Sequence, residues 1–372
     1  MDKIETVEIS MAGNPVGCMA LTPDDLCVFE YNADYLKTGQ SLSPYFLPLQ
    51  SGLFVAKRNP FKGGFGVFDD SLPDGWGNLL LDRYLQQKGI EPSKLTILQR
   101  LSLVGTTGRG ALEYRPDRSE SIQEESVDFD KLAFESQKIL TSNYTGDSLE
   151  TLYKYAGSSG GARPKIFVWI EDKEWLVKFK TFNDPIEIGK IEYECSLLAK
   201  ACGIDMPETR LFEGKYFGVE RFDRTPAGKI HTISVAGLLN ADYRIPSLDY
   251  STLLKMCFDL TKDIEQVYSL FRLMVFNIVI SNRDDHAKNF SFQLKNQEWK
   301  LSPAYDLLPS VGFNGYHTTT INGQGEPAMN DILTVATNAG LSKQSAEAIV
   351  AEIVKKCKAV RFLRKSMPDY PV

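Results

Sequence analysis

Histidine is scarce in this chain, and its cysteines form no C-x-x-C pair. The 372-residue sequence contains three histidines, at positions 231, 286 and 317, and six scattered cysteines. A zinc site built from cysteine and histidine is therefore not expected. Because nothing suggests a disulfide framework, we expect a reducing, cytoplasmic compartment.

Long hydrophobic runs are also missing. No apolar run reaches the roughly 18 residues of a transmembrane helix, so none is expected. The densest apolar stretch, residues 270–280, is interrupted by Arg272 and Asn277. The N-terminal residues MDKIETVEIS are acidic and alternating, and they do not have the pattern of a signal peptide.

Positive charge is not in excess. The formal net charge is −6, which argues against a broad, non-specific nucleic-acid binder. Hydrophobic residues make up 43% and charged residues 24% of the chain, which excludes a disordered or fibrous protein and supplies a sizeable core. At about 150 residues per domain, the length predicts two or three lobes.

Hydrophobic periodicity predicts both strands and helices. Residues 1–112 contain short alternating strands and then a helix over 78–87. The polar, acidic residues 115–131 are predicted to form a linker. Two hairpins are expected, one from strands 166–171 and 174–180 around a turn at Asp172-Lys173, the other from strands 209–212 and 216–222. Further helices are predicted at 191–202, with Leu197, Leu198, Ala201 and Cys202 on its apolar stripe, and at 264–278 and 346–360.

A glycine-rich segment, GSSGGARPK, occupies residues 157–165. Its glycines at 157, 160 and 161 would let backbone N–H groups approach phosphate oxygens without interference from a Cβ. Ordinary surface loops have the same composition, so this segment indicates a phosphate site only together with other residues.

The next strand and helix carry the charges that a phosphate site needs. Strand alternation places Lys178 and Lys180 on one face, and either would neutralise phosphate charge. In the helix that follows, Glu192 or Glu194 is placed to pair with that lysine.

The sharpest motif is NRDDHAKN at 282–289. An aspartate and an asparagine five positions apart suit a general base followed by a magnesium ligand. Asp284 would accept the proton of an attacking hydroxyl, and Asn289 would bind Mg²⁺ through its side-chain oxygen. A polar turn between two elements has a similar composition. We interpret His286 as holding this loop by hydrogen bonds rather than as a metal ligand.

A second acidic motif, SPAYDLLP, follows at 302–309. A carboxylate in apolar company is costly to bury unless it is paired or binds a metal, so Asp306 is the second predicted magnesium ligand. Residues 157–306 thus follow the order of parts that holds ATP and Mg²⁺ for phosphoryl transfer.

These motifs resemble the HipA family of serine/threonine kinases, the toxins of bacterial toxin–antitoxin systems. The resemblance covers nearly the whole chain and is carried by DSLPDGWGNLLLDR at 70–83, GGARPK at 160–165, EYECSLLAK at 192–200, VERFDR at 219–224, residues 281–292, and AYDLLP at 304–309. It implies an α+β, protein-kinase-like two-lobe fold with an additional N-terminal α/β subdomain. We expect that subdomain at 1–115, the strand-rich lobe at 116–224 and the helical lobe at 225–372.

The resemblance also implies a role for individual residues. Asp284 matches the catalytic aspartate, Asn289 and Asp306 match the magnesium ligands, and Lys178 rather than Lys180 matches the phosphate lysine. Glu192 matches the glutamate that pairs with this lysine, and Glu220 and Phe222 match the adenine-binding hinge. The residues expected to contact ATP are Ser158, Ser159, Gly160, Gly161, Ala162, Lys178, Glu220, Phe222, His286, Lys288, Asn289 and Asp306.

Autophosphorylation of Ser158, or of the adjacent Ser159, is implied as well. The phosphate would add about −2 charge inside a phosphate site and expel the loop, switching the kinase off. Asp285 departs from the usual family pattern, and we expect its negative charge beside the site to alter the preference for peptides.

The implied function is an ATP- and Mg²⁺-dependent protein serine/threonine kinase that acts as a toxin. Its substrate would be a translation-related protein such as an aminoacyl-tRNA synthetase, and its partner a helix-turn-helix antitoxin of the HipB type. DNA would be contacted only through that antitoxin, and no membrane is involved. Two alternatives are a non-catalytic co-repressor of the antitoxin and a small-molecule phosphotransferase.

Overall fold

The computed structural model describes residues 2–121, 127–141 and 148–360. The chain forms two compact units. The first comprises the chain up to Lys190 together with Glu208–Ile233 and Gly237–Asn240; the second comprises Ile191–Pro207, Ser234–Ala236 and the chain from Ala241 onward. Sheets and helices are both present, so the α+β class is confirmed. The division at residues 115 and 224 stays a prediction.

The first unit contains two antiparallel sheets. The five-stranded sheet has the order β4-β3-β2-β1-β5, and the four-stranded sheet has the order β6-β7-β9-β8. Their strands are β1 (Thr6–Met11), β2 (Asn14–Leu21), β3 (Cys27–Tyr31), β4 (Leu53–Val55), β5 (Leu112–Arg115), β6 (Lys165–Ile170), β7 (Lys173–Lys178), β8 (Thr209–Phe212) and β9 (Tyr216–Glu220). A short hairpin of β10 (Arg224–Thr225) and β11 (Gly228–Lys229) follows.

The helices of the first unit are α1 (Tyr35–Thr38), α2 (Gly66–Asp69), α3 (Gly75–Gln87), α4 (Ile97–Val104), α5 (Phe129–Leu140) and α6 (Ser148–Ala156). Of these, α3, α5 and α6 share a buried core with the four-stranded sheet. Trp76 of α3, Leu152 of α6 and Trp175 of β7 belong to one buried cluster. The indole N–H of Trp76 donates to the Lys165 carbonyl at 3.0 Å. Residues as early as α3 therefore help to position the strand that follows the glycine-rich segment.

Two predicted elements end at different residues in the structure. The first hairpin turns at Glu171-Asp172, both with positive φ, because Ile170 pairs with Lys173; the predicted turn was one residue too late. The predicted linker at 115–131 is too long, since α5 begins at Phe129, which is buried. Residues 122–126 of that segment lie outside the described residues.

Three elements contain residues of both units, namely α7 (Ile188–Ala201), β12 (His231–Ser234) and α8 (Val235–Leu239). The predicted apolar stripe of α7 is partly wrong. Leu197 is 45% exposed, whereas Glu192 is only 3% exposed. Helical spacing does identify Leu198 and Cys202 correctly as buried residues.

The second unit is mainly helical. Its elements are β13 (Leu248–Asp249), α9 (Tyr250–Thr261), α10 (Ile264–Val279), β14 (Ser291–Lys295), β15 (Glu298–Leu301), β16 (Thr319–Thr320), α11 (Met329–Asn338) and α12 (Lys343–Lys358). β14 and β15 form a hairpin, and β13 pairs in parallel with β16. Most residues of the apolar stripes of α10 and α12 are buried as predicted, at Phe271, Met274, Ile349 and Ile353 among others, but Ile264 at the start of α10 is 38% exposed. In the described ranges, no helix combines the length and apolar character needed to cross a membrane.

Candidate active site

The acidic loop at 282–289 joins the end of α10 to β14. Asp284 is exposed, and its backbone N–H donates to Ser310 Oγ at 2.9 Å. Ser310 Oγ donates in turn to Asn282 Oδ1 at 2.9 Å. The network extends to the buried Asn277, whose Oδ1 accepts a hydrogen bond from Asn282 Nδ2 at 3.0 Å. The backbone of the exposed aspartate is therefore tied to a buried polar network.

Asp285, the next residue, is fully buried. Its Oδ2 accepts hydrogen bonds from Tyr250 Oη at 2.9 Å and His317 Nδ1 at 2.8 Å. Its Oδ1 accepts from the backbone N–H groups of Thr318 at 2.9 Å and Thr319 at 3.2 Å. A buried carboxylate is tolerated when each oxygen has such donors. Burial, and secondarily the Asp285 charge, raises the pKa of Tyr250 well above its usual range, so this hydroxyl remains a donor.

The expectation that Asp285 adds charge beside a peptide site is wrong. Its side chain is 0% exposed and is surrounded by donors that belong to the same unit. Asp285 instead anchors the loop through its buried hydrogen bonds, while Asp284 is exposed. The two adjacent aspartates therefore have opposite roles, one structural and one accessible for chemistry.

Asn289 and Asp306 are linked through their neighbours. Asn289 Nδ2 donates to the Asp284 carbonyl at 2.7 Å, so the amide oxygen is the group available to a cation. Tyr305 Oη donates to the Lys288 carbonyl at 2.7 Å, and Asn282 Nδ2 donates to the Asp306 carbonyl at 3.1 Å. These bonds tie the two predicted magnesium ligands to the loop that carries Asp284.

The chemistry of this donor pair fits magnesium. Among the described residues, no group of three or more His, Cys, Asp or Glu side chains is arranged to hold a metal. Mg²⁺ at phosphoryl-transfer sites typically uses one or two protein oxygens together with phosphates and water. The Asp306 carboxylate and the Asn289 amide oxygen would supply these two protein ligands and leave the other coordination positions to phosphate and water.

The loop's histidine and lysine contact protein groups. His286 Nδ1 accepts from the Lys288 N–H at 3.3 Å, and the His286 carbonyl accepts from the Asn289 N–H at 2.8 Å. Lys288 Nζ lies 4.3 Å from the centroid of the Tyr243 ring. These contacts agree with the interpretation of His286 as a loop-holding residue; the ATP contacts of His286 and Lys288 stay predictions.

The glycine-rich segment belongs to the first unit. Gly160, Gly161 and Ala162 are exposed, whereas Ser158 and Ser159 are 9% and 2% exposed. Ser158 Oγ donates to the Thr107 carbonyl at 3.3 Å, and Ser159 Oγ has no hydrogen-bond partner among the described residues. Phosphorylation of either serine therefore requires this segment to move.

Two side chains that sequence reasoning missed contact glycines of the glycine-rich segment, one from outside it and one from its last residue. Asp74 Oδ1 accepts a hydrogen bond from the Gly161 N–H, and Lys165 Nζ donates to the Gly160 carbonyl. A Cβ on Gly77 would lie 2.4 Å from the Ser159 carbonyl oxygen, so this close approach requires glycine. Asp74 lies in DSLPDGWGN and Lys165 in GGARPK, two motifs that carry the family resemblance. Their place in these motifs is the sequence signal that could have identified them.

Lys178 lies at the end of β7, directly opposite Lys165 in the antiparallel register. Its Nζ is 5.6 Å from the centroid of the Phe217 ring. Trp175 and Val177 on the other face are fully buried, as strand alternation predicts. Glu192, the predicted partner of Lys178, is buried in α7 of the second unit, and the pairing stays a prediction.

The predicted hinge follows β9, which ends at Glu220 rather than at Phe222. A buried ionic network surrounds it: Arg221 contacts Glu174 at 3.0 Å and Asp223 at 2.8 Å, and Arg224 contacts the same two carboxylates. Burial alone would raise the pKa of Asp223, but the two arginines hold it well below its usual range. The backbone of the predicted hinge is therefore anchored by the arginines and the aspartate of the VERFDR motif together with Glu174.

Comparison with known proteins gives a consistent result. The family model described as the HipA-like C-terminal domain matches residues 157–361, more than half of the chain, and that of the HipA N-terminal domain matches residues 7–115. Two relatives from Sinorhizobium fredii carry kinase names. Y4dM is 23% identical, and the alignment covers 99% of this chain and 94% of Y4dM. Y4mE is 29% identical, and the alignment covers 72% of this chain and 68% of Y4mE.

A solved structure, that of the HipA toxin–antitoxin system of Shewanella oneidensis with HipB and operator DNA, matches with a TM-score of 0.70 at 18% identity. The match covers 98% of this chain and 92% of the other. It confirms the predicted fold class. Both halves of the sequence match the family in order, and the chain therefore belongs to the HipA family.

Proposed function

We propose that this chain is an ATP- and Mg²⁺-dependent protein serine/threonine kinase that acts as a toxin. The observation that carries the proposal is the contrast between two neighbouring aspartates. Asp285 is buried and saturated with hydrogen bonds, whereas Asp284 is exposed on the backbone that Asp285 holds. A general base needs this combination of an accessible carboxylate and a rigid loop.

In the proposed reaction, Asp284 accepts the proton of a serine or threonine hydroxyl. The hydroxyl oxygen forms a bond to the γ-phosphorus of ATP, and the bond from that phosphorus to the β–γ bridging oxygen breaks, so ADP leaves. The phosphorylated side chain and ADP are the products. Catalysis then depends on positioning and charge stabilisation rather than on a covalent enzyme intermediate.

Asn289 Oδ1 and the Asp306 carboxylate would hold Mg²⁺, which when bound neutralises charge on the phosphates. Asn289 is oriented for this role by its hydrogen bond to the Asp284 carbonyl. Lys178 would neutralise further phosphate charge. Glu220 and Phe222 would offer hinge backbone to adenine, supported by the buried network of Arg221 and Arg224.

The substrate we propose is a translation-related protein such as an aminoacyl-tRNA synthetase. Autophosphorylation of Ser158 or Ser159 would regulate the site. Because both serines are buried, a phosphate there is incompatible with the present position of the segment. Adding about −2 charge would hold the segment out and switch the kinase off.

An antitoxin of the HipB type is the proposed partner. The Shewanella relative of the same fold was solved with HipB and operator DNA, which supports this proposal. A net charge of −6 favours contact with DNA through the antitoxin rather than directly.

The proposal is tested by incubating the full chain with ATP and Mg²⁺ and mapping phosphoserine by mass spectrometry. Asp284→Ala is expected to lower phosphoryl transfer by about 10²–10⁴-fold while ATP binding changes little. Asp205→Ala, at an exposed aspartate of the same unit, is the matched control and should keep full activity.

A wild-type chain that neither binds ATP nor phosphorylates itself or another protein would contradict the proposal. In that case, capture of a HipB-type protein would favour the co-repressor alternative. Transfer of phosphate to a sugar or an aminoglycoside, with no labelled protein, would favour the small-molecule alternative.

A further inference from the structure

Three large apolar side chains are exposed on one short loop of the second unit. Val311, Phe313 and Tyr316 are 76%, 46% and 53% exposed. They alternate with glycine and asparagine in the sequence VGFNGY, which we call the 311–316 loop. Exposed apolar side chains that cluster in this way commonly mark an interaction site.

The 311–316 loop is held at its first end by the backbone around Asp284. The Ser310 N–H donates to the Ser281 carbonyl at 3.0 Å, and Ser310 Oγ accepts from the Asp284 N–H at 2.9 Å. Val311 follows Ser310 immediately. Val311 is therefore the neighbour of the residue whose hydroxyl is hydrogen-bonded to the backbone of Asp284, the candidate base.

Arg283 holds the rest of the loop. Its Nη1 donates to the Gly315 carbonyl at 2.7 Å, and its own carbonyl accepts from the Thr318 N–H at 3.0 Å. A Cβ on Gly312 would lie 2.5 Å from the Arg283 carbonyl oxygen, and Gly312 has φ of +66°, so glycine is required there. Phe313 and Tyr316 are bridged across a tight turn. The loop thus has a defined shape beside Asp284.

The hydrogen-bonded turn keeps the apolar side chains of the 311–316 loop exposed to solvent. A loop without such hydrogen bonds could instead bury these side chains against the protein. The loop also contains no charged residue, so it supplies no positive charge to attract a phosphate or a nucleic-acid backbone. Its chemistry suits an apolar side chain of a polypeptide.

We infer that the 311–316 loop selects protein substrates by binding apolar residues next to the accepting serine or threonine. This inference rests on the proposed kinase function. An extended peptide spans about 3.3–3.6 Å per residue, so residues within about three positions of the acceptor reach the loop when the hydroxyl is at Asp284. Val311 and Phe313 would contribute most of the selection.

The test uses the full chain with a peptide library that has one serine and randomised neighbours. The wild type should enrich Leu, Ile, Val, Met or Phe within about three positions of the phosphorylated serine. The double variant Val311→Thr/Phe313→Gln should lose this enrichment. On the best peptide its kcat/KM should fall by about tenfold or more, mainly through KM.

The KM for ATP should stay within about twofold in the same variant, because the loop is inferred to contact the peptide and not the nucleotide. The matched control is Val55→Thr/Phe134→Gln, which changes the same residue types at sites 55% and 59% exposed in the first unit. This control should keep the peptide preference of the wild type.

Phosphorylation of peptides by the wild type without apolar enrichment overturns the inference and leaves the proposed kinase intact. Equal losses in the double variant and in the control also overturn it. A wild type that transfers phosphate to no acceptor at all overturns the proposed function, and this inference with it.

Discussion

The acidic loop at 282–289 and the glycine-rich segment at 157–165 are held in different ways. The acidic loop is anchored by Asp285, which accepts hydrogen bonds from two side chains and two backbone N–H groups. In the glycine-rich segment, the buried Ser159 Oγ has no hydrogen-bond partner within the described ranges, and the exposed glycines are contacted by Asp74 and by Lys165, the last residue of the segment.

The difference corresponds to what each region would have to do. A base must stay in one place, so a saturated buried network suits the acidic loop. A segment that admits and releases a nucleotide, and that would expose a serine for phosphorylation, needs contacts that exchange readily. The predictions below test this contrast.

The largest effect on stability is expected from Asp285→Ala. It removes the buried carboxylate that accepts from the Tyr250 hydroxyl and from His317 Nδ1, which should lower the free energy of unfolding by about 3 kcal/mol or more. Asp284→Ala is the matched control and should change it by less than about 0.5 kcal/mol, since that side chain is exposed. Urea denaturation measures both. Equal effects would show that Asp285 does not anchor the loop.

A smaller effect on stability is expected from the ion pair that Arg163 of the glycine-rich segment makes with Asp184. Arg163 Nη2 contacts Asp184 at 2.8 Å, and although burial opposes it, this pairing and the hydrogen bonds from Thr181 lower the pKa of Asp184 from 3.8 to about 2. The ionised Asp184 should therefore contribute up to about 2 kcal/mol above pH 4, which is lost as the pH falls from about 4 to 2.

Asp184→Asn should be less stable than the wild type near pH 7, and this difference should disappear near pH 2. Thermal or denaturant unfolding at several pH values measures it. A difference that stays constant with pH would mean that packing, and not the charge, carries the effect of this substitution.

The smallest effect is expected at Asp74. Its carboxylate accepts the Gly161 N–H in the segment proposed to hold phosphate, so it would repel a nucleotide. Asp74→Asn keeps an acceptor oxygen but removes the charge, and ATP should bind about two- to fivefold more tightly. Calorimetry measures this, with the exposed Asp34→Asn as control. Weaker ATP binding would show that Asp74 instead positions Gly161 for the nucleotide.

Local periodicity predicted much of the fold. The apolar residues of α10 and α12 repeat at helical spacing, and Phe271, Met274 and Ile353 are buried. Alternation in β7 correctly separates Trp175 and Val177 from Lys178. The mistakes arise where a tertiary environment outweighs the local pattern: α7 buries Glu192 and exposes Leu197, and α5 starts inside a segment that composition marks as a linker.

Sequence alone determined the family, the α+β class and the candidate residues Asp284, Asn289, Asp306 and Lys178, because motif order and periodicity are properties of the chain itself. Only the tertiary structure showed that Asp285 is buried while Asp284 is exposed. The donors that bury Asp285 come from Tyr250, 35 residues earlier, and His317, 32 residues later. Two identical side chains in adjacent positions differ only in the partners that folding brings to them, and no local pattern encodes such long-range hydrogen bonds.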